Sequence, residues 1–391
     1  MTRAARRTRR KAATEEVKEE VKETKKVETK AAPPVGQVIN RQKLLDALTK
    51  VKPGVANKEI VETSINFSFN EKEIFTNNDE ISVAQKFNSG ITGSIKAAEF
   101  YKLISKIPSE EITISQEGSD LLLTAEIKSK DKDDKEIIDN LEAKIKMTEA
   151  IIDRKGIDPP AKNSKKWNKL PEDFTKAATF CIFSCSKNMV KPELTCIWFT
   201  QDEDGAVAIS CDGYRGTMYY FDKTDEIHVP FLVPANVAKY LPIYNPIRYL
   251  LTDSWLHLMN NEDTVLSCRV VATDYPEQIW DFFDVTGSQL DLPQGFGDVI
   301  QRTETIVTEE FEQDRFLTLS LRKGEIECTG QGTLGKISEK RPFDYDGEEM
   351  QILVHPRLLL DILKHHSAMR IGERLKFEGE YFEHVVCMPE K

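Results

Sequence analysis

An α+β fold of three repeated units, each with two helices packed on antiparallel sheet, is what the sequence predicts. Three observations carry that prediction. One order of patterns, helix, strands, helix, strands, recurs three times at intervals of about 100–130 residues. The helix candidates are apolar on one side and the strand candidates are half apolar, so a layer of helices against a sheet buries both. Hydrophobic residues make up 40% of the 391 and charged residues 30%, enough apolar surface for several cores in a water-soluble chain.

The elements follow in order. Leu44, Leu45, Leu48 and Val51 share one side of a helix over 41–52. Strands are expected at 62–68, 73–76 and 81–87. A second helix over 96–107 groups Ala97, Phe100, Tyr101 and Ile104, and Pro108 stops it. A hairpin, 111–115 and 120–127, turns at Glu117-Gly118, and a last strand covers 142–148. The second unit opens with a helix over 172–187, begun by Pro171. Strands at 194–200 and 205–211, a charged loop, a strand at 227–232, a helix over 234–241 and strands at 247–252, 255–260 and 266–272 complete it. The third has a helix over 295–308, strands at 316–321, 325–329 and 352–354, a helix over 356–366, and strands at 369–371, 375–378 and 384–388.

These units divide the chain into domains 38–151, 170–290 and 291–391, with a polar linker over 152–169 that holds Pro159 and Pro160. Residues 1–37 form a charged tail with little to bury, which need not fold. Residues 1–30 hold 11 basic and 6 acidic side chains, a net of +5, so the remainder carries −16 of the total −11. The basic head is either a weak nucleic-acid contact or address, or a solvated tail. An acidic chain excludes one large basic surface but allows a local basic face. There is no apolar run long enough for a membrane span and no signal-peptide pattern. The 7 Cys show no CxxC or Cys/His cluster, so a disulfide framework and a structural metal are both disfavoured, and a reducing cytoplasmic compartment is expected. Phosphate-loop, HExxH and GxSxG motifs are absent, and no cofactor is expected. His365 and His366 are adjacent, so they do not converge on a metal.

Four local stretches carry a resemblance. Ser210-Cys211-Asp212-Gly213-Tyr214-Arg215 follows a strand, Leu232-Val233-Pro234-Ala235 joins a strand to a helix, Thr273-Asp274-Tyr275-Pro276 ends the middle unit, and Val385-Val386-Cys387-Met388-Pro389 lies near the C-terminus. Their order and spacing, with the threefold repeat, resemble the bacterial-type DNA sliding clamp, the beta subunit of DNA polymerase III, over residues 39–391. The divergence of the first unit, whose loop Lys52-Pro53-Gly54 departs from the family's pattern and whose run 128–136 is very polar, points to a remote, even phage-encoded, member. The resemblance implies a closed ring, a head-to-tail homodimer, that encircles double-stranded DNA and tethers a DNA polymerase. It implies no catalysis by the clamp itself, and an ATP-dependent clamp loader as a further partner.

The residues offer two candidate surfaces. Arg41, Lys43, Lys50, Lys96, Lys102, Lys106, Lys176, Lys187, Lys239, Arg302, Arg357 and Lys364 sit on the polar sides of the helices. Such lysines are either solubilising or, as the resemblance implies, DNA-facing, holding a duplex by weak phosphate contacts. The second surface is the resemblance's partner-peptide groove: Leu194, Cys211, Gly213, Tyr214, Arg215 and Phe283 on the middle-unit side, and His355, Leu358, Met388 and Pro389 on the third-unit side. Tyr214 stands where the family has histidine, Gly216 where it has leucine and Phe283 where it has proline, and Glu390-Lys391 replaces the usual ending. Asp212-Gly213 is also a plain turn signal. The expected function is a processivity factor. The alternative is a clamp-derived scaffold or transcription coactivator that binds proteins without encircling replicating DNA.

Overall fold

The computed structural model describes residues 36–59, 63–130, 136–159, 163–201, 204–223, 227–307 and 315–389. Most of the charged tail, part of the polar run at 128–136, and Glu390-Lys391 lie outside the described residues. Three repeats follow one another with the same element order. The first holds β1 (Gln37–Asn40), α1 (Arg41–Val51), β2 (Asn66–Asn70), β3 (Glu73–Asn77), β4 (Ile81–Lys86), β5 (Thr92–Lys96), α2 (Ala97–Lys106), β6 (Glu111–Glu117), β7 (Asp120–Lys130) and β8 (Glu136–Lys146). The second holds β9 (Asn168–Lys169), α3 (Phe174–Cys181), β10 (Cys196–Gln201), β11 (Ala206–Cys211), β12 (Arg215–Tyr220), β13 (Phe231–Pro234), the short helices α4 (Ala235–Ala238) and α5 (Leu241–Tyr244), β14 (Arg248–Leu251), β15 (Trp255–Met259) and β16 (Val265–Arg269). A short α6 (Ile279–Phe283) leads to β17 (Ser288–Asp291), α7 (Phe296–Glu304), β18 (Leu317–Arg322), β19 (Glu325–Gly332), β20 (Gly335–Pro342), β21 (Met350–Val354), α8 (Pro356–Leu363), β22 (Ala368–Ile371), β23 (Arg374–Glu378) and β24 (Phe382–Cys387).

Local chemistry sets the helix ends. The Asn40 side chain accepts from the Lys43 amide at 3.0 Å and so caps α1, which buries Leu44, Ala47, Leu48 and Val51. In α2, Ala97, Phe100 and Ile104 are buried. Pro356 opens α8 at a position where its missing N–H costs nothing. Several helices are shorter than the sequence pattern predicts: α7 ends at Glu304 and α8 at Leu363. In two others the difference changes what their residues do. α3 stops at Cys181 and passes into a 3₁₀ turn over Ile182–Ser184, so Lys187 is on a loop and not on a helix. The pattern over 234–241 is broken into α4 and α5, and Pro242 sits in the first turn of the latter.

The strands form four antiparallel sheets. Two of them cross repeat boundaries: β5-β2-β3-β4-β16-β15-β14-β9 joins the first repeat to the second, and β13-β10-β11-β12-β24-β23-β22-β17 joins the second to the third. The seams are β4 on β16, with Ala84 opposite Val265, and β12 on β24, with Thr217 opposite His384. Two four-stranded sheets remain, β1-β6-β7-β8 and β20-β19-β18-β21. In the element order, β20 corresponds to β4 and β12, and β8 corresponds to β16 and β24. Among the described residues, the two strands whose counterparts form seams elsewhere stand at an edge here, β8 at the far end of its sheet from β1 and β20 at the far end from β21.

Burial follows from these layers. Ala206 and Ala208 of β11 face the helix-side core, while Val207, Ile209 and Cys211 meet Tyr275, Ile279 and Phe283 on the other side. A strand covered on both faces reads as a continuous apolar run, as β11 does. The segment after β16, including α6, supplies that second cover.

Candidate nucleic-acid and partner interfaces

The basic candidates stand at the surface. Lys187 is on a loop, and Lys96 closes β5 instead of lying in a helix, because it still pairs with Asn66 of β2. Lys43, Lys96, Lys102, Lys106, Lys176, Lys187, Lys239, Arg302, Arg357 and Lys364 are exposed, and Arg41 and Lys50 are half-buried. Their electrostatic surroundings differ. Lys50 pairs with Glu262, Lys176 with Asp173 at 3.1 Å, Arg302 with Glu339 at 2.7 Å, Arg357 with Glu304 at 3.2 Å, and Lys364 with Asp361 at 3.2 Å. Arg41 donates to the Ser109 carbonyl, and Lys239 lies over the Tyr240 ring at 4.8 Å. Lys43, Lys96, Lys102 and Lys106 have no ion-pair partner among the described residues. Lys102 and Lys106 are one turn apart and share a side of α2. Of these candidates, most of those without an ion pair among the described residues lie in the first repeat.

At the junction of the second and third repeats, a tight turn links β11 to β12. The Asp212 carboxylate accepts from the amides of Tyr214 and Arg215, both at 2.9 Å, and Gly213 takes a left-handed φ of 90°. The Arg215 guanidinium donates to Asp212 at 3.2 Å and to Asp361 of α8 at 2.8 Å, and lies 5.3 Å from the Phe183 ring. The Cys387 amide donates to the Tyr214 carbonyl at 2.7 Å, which brings the chain before Met388 beside this turn. Turn, α8 and the C-terminal strand thus converge.

The wall residues divide between two clusters. Leu194, Cys211 and Phe283 pack together over the outer face of the sheet, while Leu358 and Met388 pack on the core of the third repeat. Tyr214 is 66% exposed, whereas Phe283 and Cys211 are buried at 4% and 6%. Burial pushes the Cys211 thiol up to about 11. Phe283 is therefore packed interior and not an open wall. The reason is Gly216: a β-carbon there would meet the Phe282 ring at 3.1 Å and the Phe283 ring at 3.2 Å, so the two rings fill the space that a side chain would take. His355 packs edge-on to Phe316, 6.1 Å between centroids, and Pro389 is half-buried.

Across the same seam runs a hydrogen-bonded chain that the sequence does not advertise. Ser184 Oγ lies 2.6 Å from Thr217 Oγ1, which lies 2.8 Å from His384 Nδ1. All three are fully buried. Burial, with the Arg215 and His365 charges, holds the His384 imidazole well below its ordinary pKa, so it is neutral. Only the pairing of β12 with β24 puts these residues together. Among the described residues no group of three or more His, Cys, Asp or Glu is placed to hold a metal ion, and no helix is long and apolar enough to cross a membrane.

No family model matches the sequence, and no curated protein matches it either. Solved structures do match. The sliding clamp (DNA polymerase III subunit beta) of Bartonella birtlesii, solved bound to griselimycin, superposes with a TM-score of 0.74 at 14% identity, covering 90% of this chain and 99% of that one. The chain has the sliding-clamp fold. The DNA polymerase sliding clamp of Bacillus subtilis gives 0.73 at 14% identity, over 90% and 98% of the two chains, and the DNA polymerase III beta subunit of Thermotoga maritima 0.72 at 13%, over 90% and 99%. Coverage of nearly the whole of each clamp means that all three repeats take part in the likeness. At such identity the sequences have diverged almost everywhere while the clamp fold's layers and seams are kept.

Proposed function

We propose that this chain is a DNA sliding clamp: a non-catalytic ring that encircles double-stranded DNA and tethers a DNA polymerase, with an ATP-dependent clamp loader to open it. In this reading the domains are 38–151, 170–290 and 291–391, and two chains close head to tail. One observation carries the reading. β8 and β20 are free edges in the positions where their counterparts form seams, β16 with β4 and β24 with β12. Pairing β8 of one chain with β20 of another would make a third kind of eight-stranded sheet by the same rule, and two such contacts close a ring in which neither β8 nor β20 remains a free edge. The edges are long, 11 residues in β8 and 8 in β20. The exposed lysines of α1 and α2 suit loose, sequence-independent phosphate contact, which keeps a ring on DNA without stopping it. The junction around Tyr214, Arg215, Leu358 and Met388 is the proposed partner-peptide site, reshaped by Phe282 and Phe283.

The test has two readings. Sedimentation should give a mass of two chains. Protein loaded on nicked circular DNA should stay bound through a high-salt wash and be lost when the circle is linearised. A monomer at all concentrations, or equal retention on both DNAs, would reject encirclement.

A further inference from the structure

A cavity of about 430 Å³ lies at the junction of the first and second repeats. The start of α4 (Pro234, Val237), the end of β16 (Cys268, Val271) and the loop after α3 (Met189, Pro192) wall it. That loop is held in shape: Ser186 Oγ accepts from the Asn188 amide and Asn188 Oδ1 accepts from the Val190 amide, both at 3.0 Å. The result is unusual for a surface loop, because Met189 is 72% exposed and Val190 82% exposed. Lys187, in the lining, and nearby Lys191 are exposed and have no ion-pair partner among the described residues. Arg269 on the opposite wall is already paired with Asp79.

A second cavity of about 430 Å³ shares Val271 as a wall. Trp198 and Tyr275 line it, stacked 5.4 Å apart, and the buried Tyr275 hydroxyl has no hydrogen-bond partner among the described residues. Two apolar cavities on either side of one residue suit an extended chain better than a compact ligand. The internal repeat points the same way. The turn before β4, the start of α4 and the end of β16 occupy here the places that the turn before β12, the start of α8 and the end of β24 occupy at the next junction.

We propose that this junction is a second docking groove, which takes an extended peptide from a protein partner. An aliphatic anchor seats beside Met189 and Val237, an aromatic anchor beside Trp198 and Tyr275, and an acidic residue faces Lys187 and Lys191. Glu80 also lines the first cavity and Asp274 and Glu277 line the second, so charge complementarity places the acidic residue only at the Lys187–Lys191 end. The apolar walls select against a nucleic acid, whose phosphates gain nothing from them. The proposal concerns a surface of one chain, so it goes beyond ring closure and does not depend on it.

The probe is a short fluorescein-labelled peptide amide, Glu-Ser-Leu-Ser-Ser-Phe-Ser, titrated with the full chain and followed by anisotropy. Binding is expected below about 1 mM. Met189→Asp should weaken it about tenfold or more, since a charge replaces an anchor contact. Lys187→Glu with Lys191→Glu should weaken it several-fold, and the loss should shrink as salt rises. Tyr214→Ala, at the next junction, reads any binding of the probe to the partner-peptide site there, and the loss caused by Met189→Asp should be the same in its presence. All four positions are exposed, and unchanged thermal melts confirm the fold. The proposal is overturned by no binding at about 1 mM, by full affinity in Met189→Asp, by loss only in Tyr214→Ala, by equal binding of a peptide with both anchors changed to Ser, or by displacement of the peptide by a short DNA duplex. Mass in solution, measured on the same variants, reads ring closure separately.

Discussion

At Gly216 the Phe282 and Phe283 rings stand 3.1 and 3.2 Å from the place of a β-carbon, so the residue is small because its neighbours are large. Gly216→Leu should overpack this spot and lower stability by about 1–3 kcal/mol, measured by denaturant unfolding. An unchanged midpoint would mean that the two rings swing aside freely. His257 illustrates a different residue-scale effect. It is 1% exposed, its Nδ1 lies 2.7 Å from Ser267 Oγ, and burial lowers its pKa to about 4. The unfolded chain takes up this proton near the ordinary value of 6.5, whereas the folded chain refuses it until about 4. Stability from this group is therefore complete above the unfolded value and falls as pH drops through that window, by about 3 kcal/mol in all. His257→Gln should flatten that part of the stability–pH curve relative to the parent, in urea melts at matched pH. Parallel curves would show that His257 titrates normally.

Edges decide the behaviour of the elements. Among the described residues every seam is an antiparallel strand pair, and β8 and β20 are left without one. β8 exposes Ile137 at 41% and Ile138 at 55%, apolar residues on a long free strand, which is a template for pairing with another chain. Ile138→Lys should leave each chain folded and shift the assembly towards single chains by an order of magnitude or more in dissociation constant. Analytical ultracentrifugation over a concentration series reads it. A two-chain mass persisting at the lowest concentration would remove β8 from the contact.

For the molecule as a whole, charge placement matters more than net charge. The total is −11, yet Lys43, Lys102 and Lys106 on two helices of one repeat, with Lys96 at the end of β5, have no ion-pair partner among the described residues. Reversing all four to Glu should weaken retention on circular DNA at low salt, with little effect at high salt, where phosphate attraction is screened. Reversing Arg357 and Lys364 should do less, because Glu304 and Asp361 already hold them. Equal losses from the two sets would mean that these ion pairs open at no cost when DNA is present.

The sequence alone determined the elements whose signal is local. The buried sides of α1, α2, α7 and α8 follow from a 3.6-residue period, and Pro108 and Pro356 mark their limits through a missing N–H. The hairpin turning near Gly118 follows from turn chemistry, and the threefold order emerges once these are set out. The basic residues on helices and the turn at Asp212-Gly213 were legible for the same reason. Tertiary structure decided the rest. β20 is polar on both faces and exposed, so no burial pattern marks it, and β12 begins inside a turn motif. Lys187 looked helical because its segment is apolar and continuous, yet α3 ends six residues earlier and the loop turns to wall a cavity. The Arg215–Asp361 pair, the Ser184–Thr217–His384 chain and the filling of Gly216's space by Phe282 join residues far apart in sequence. Such contacts have no local period or spacing. They exist because strands from neighbouring repeats share one sheet, and the register of that sheet is set by the whole buried face rather than by any stretch within it.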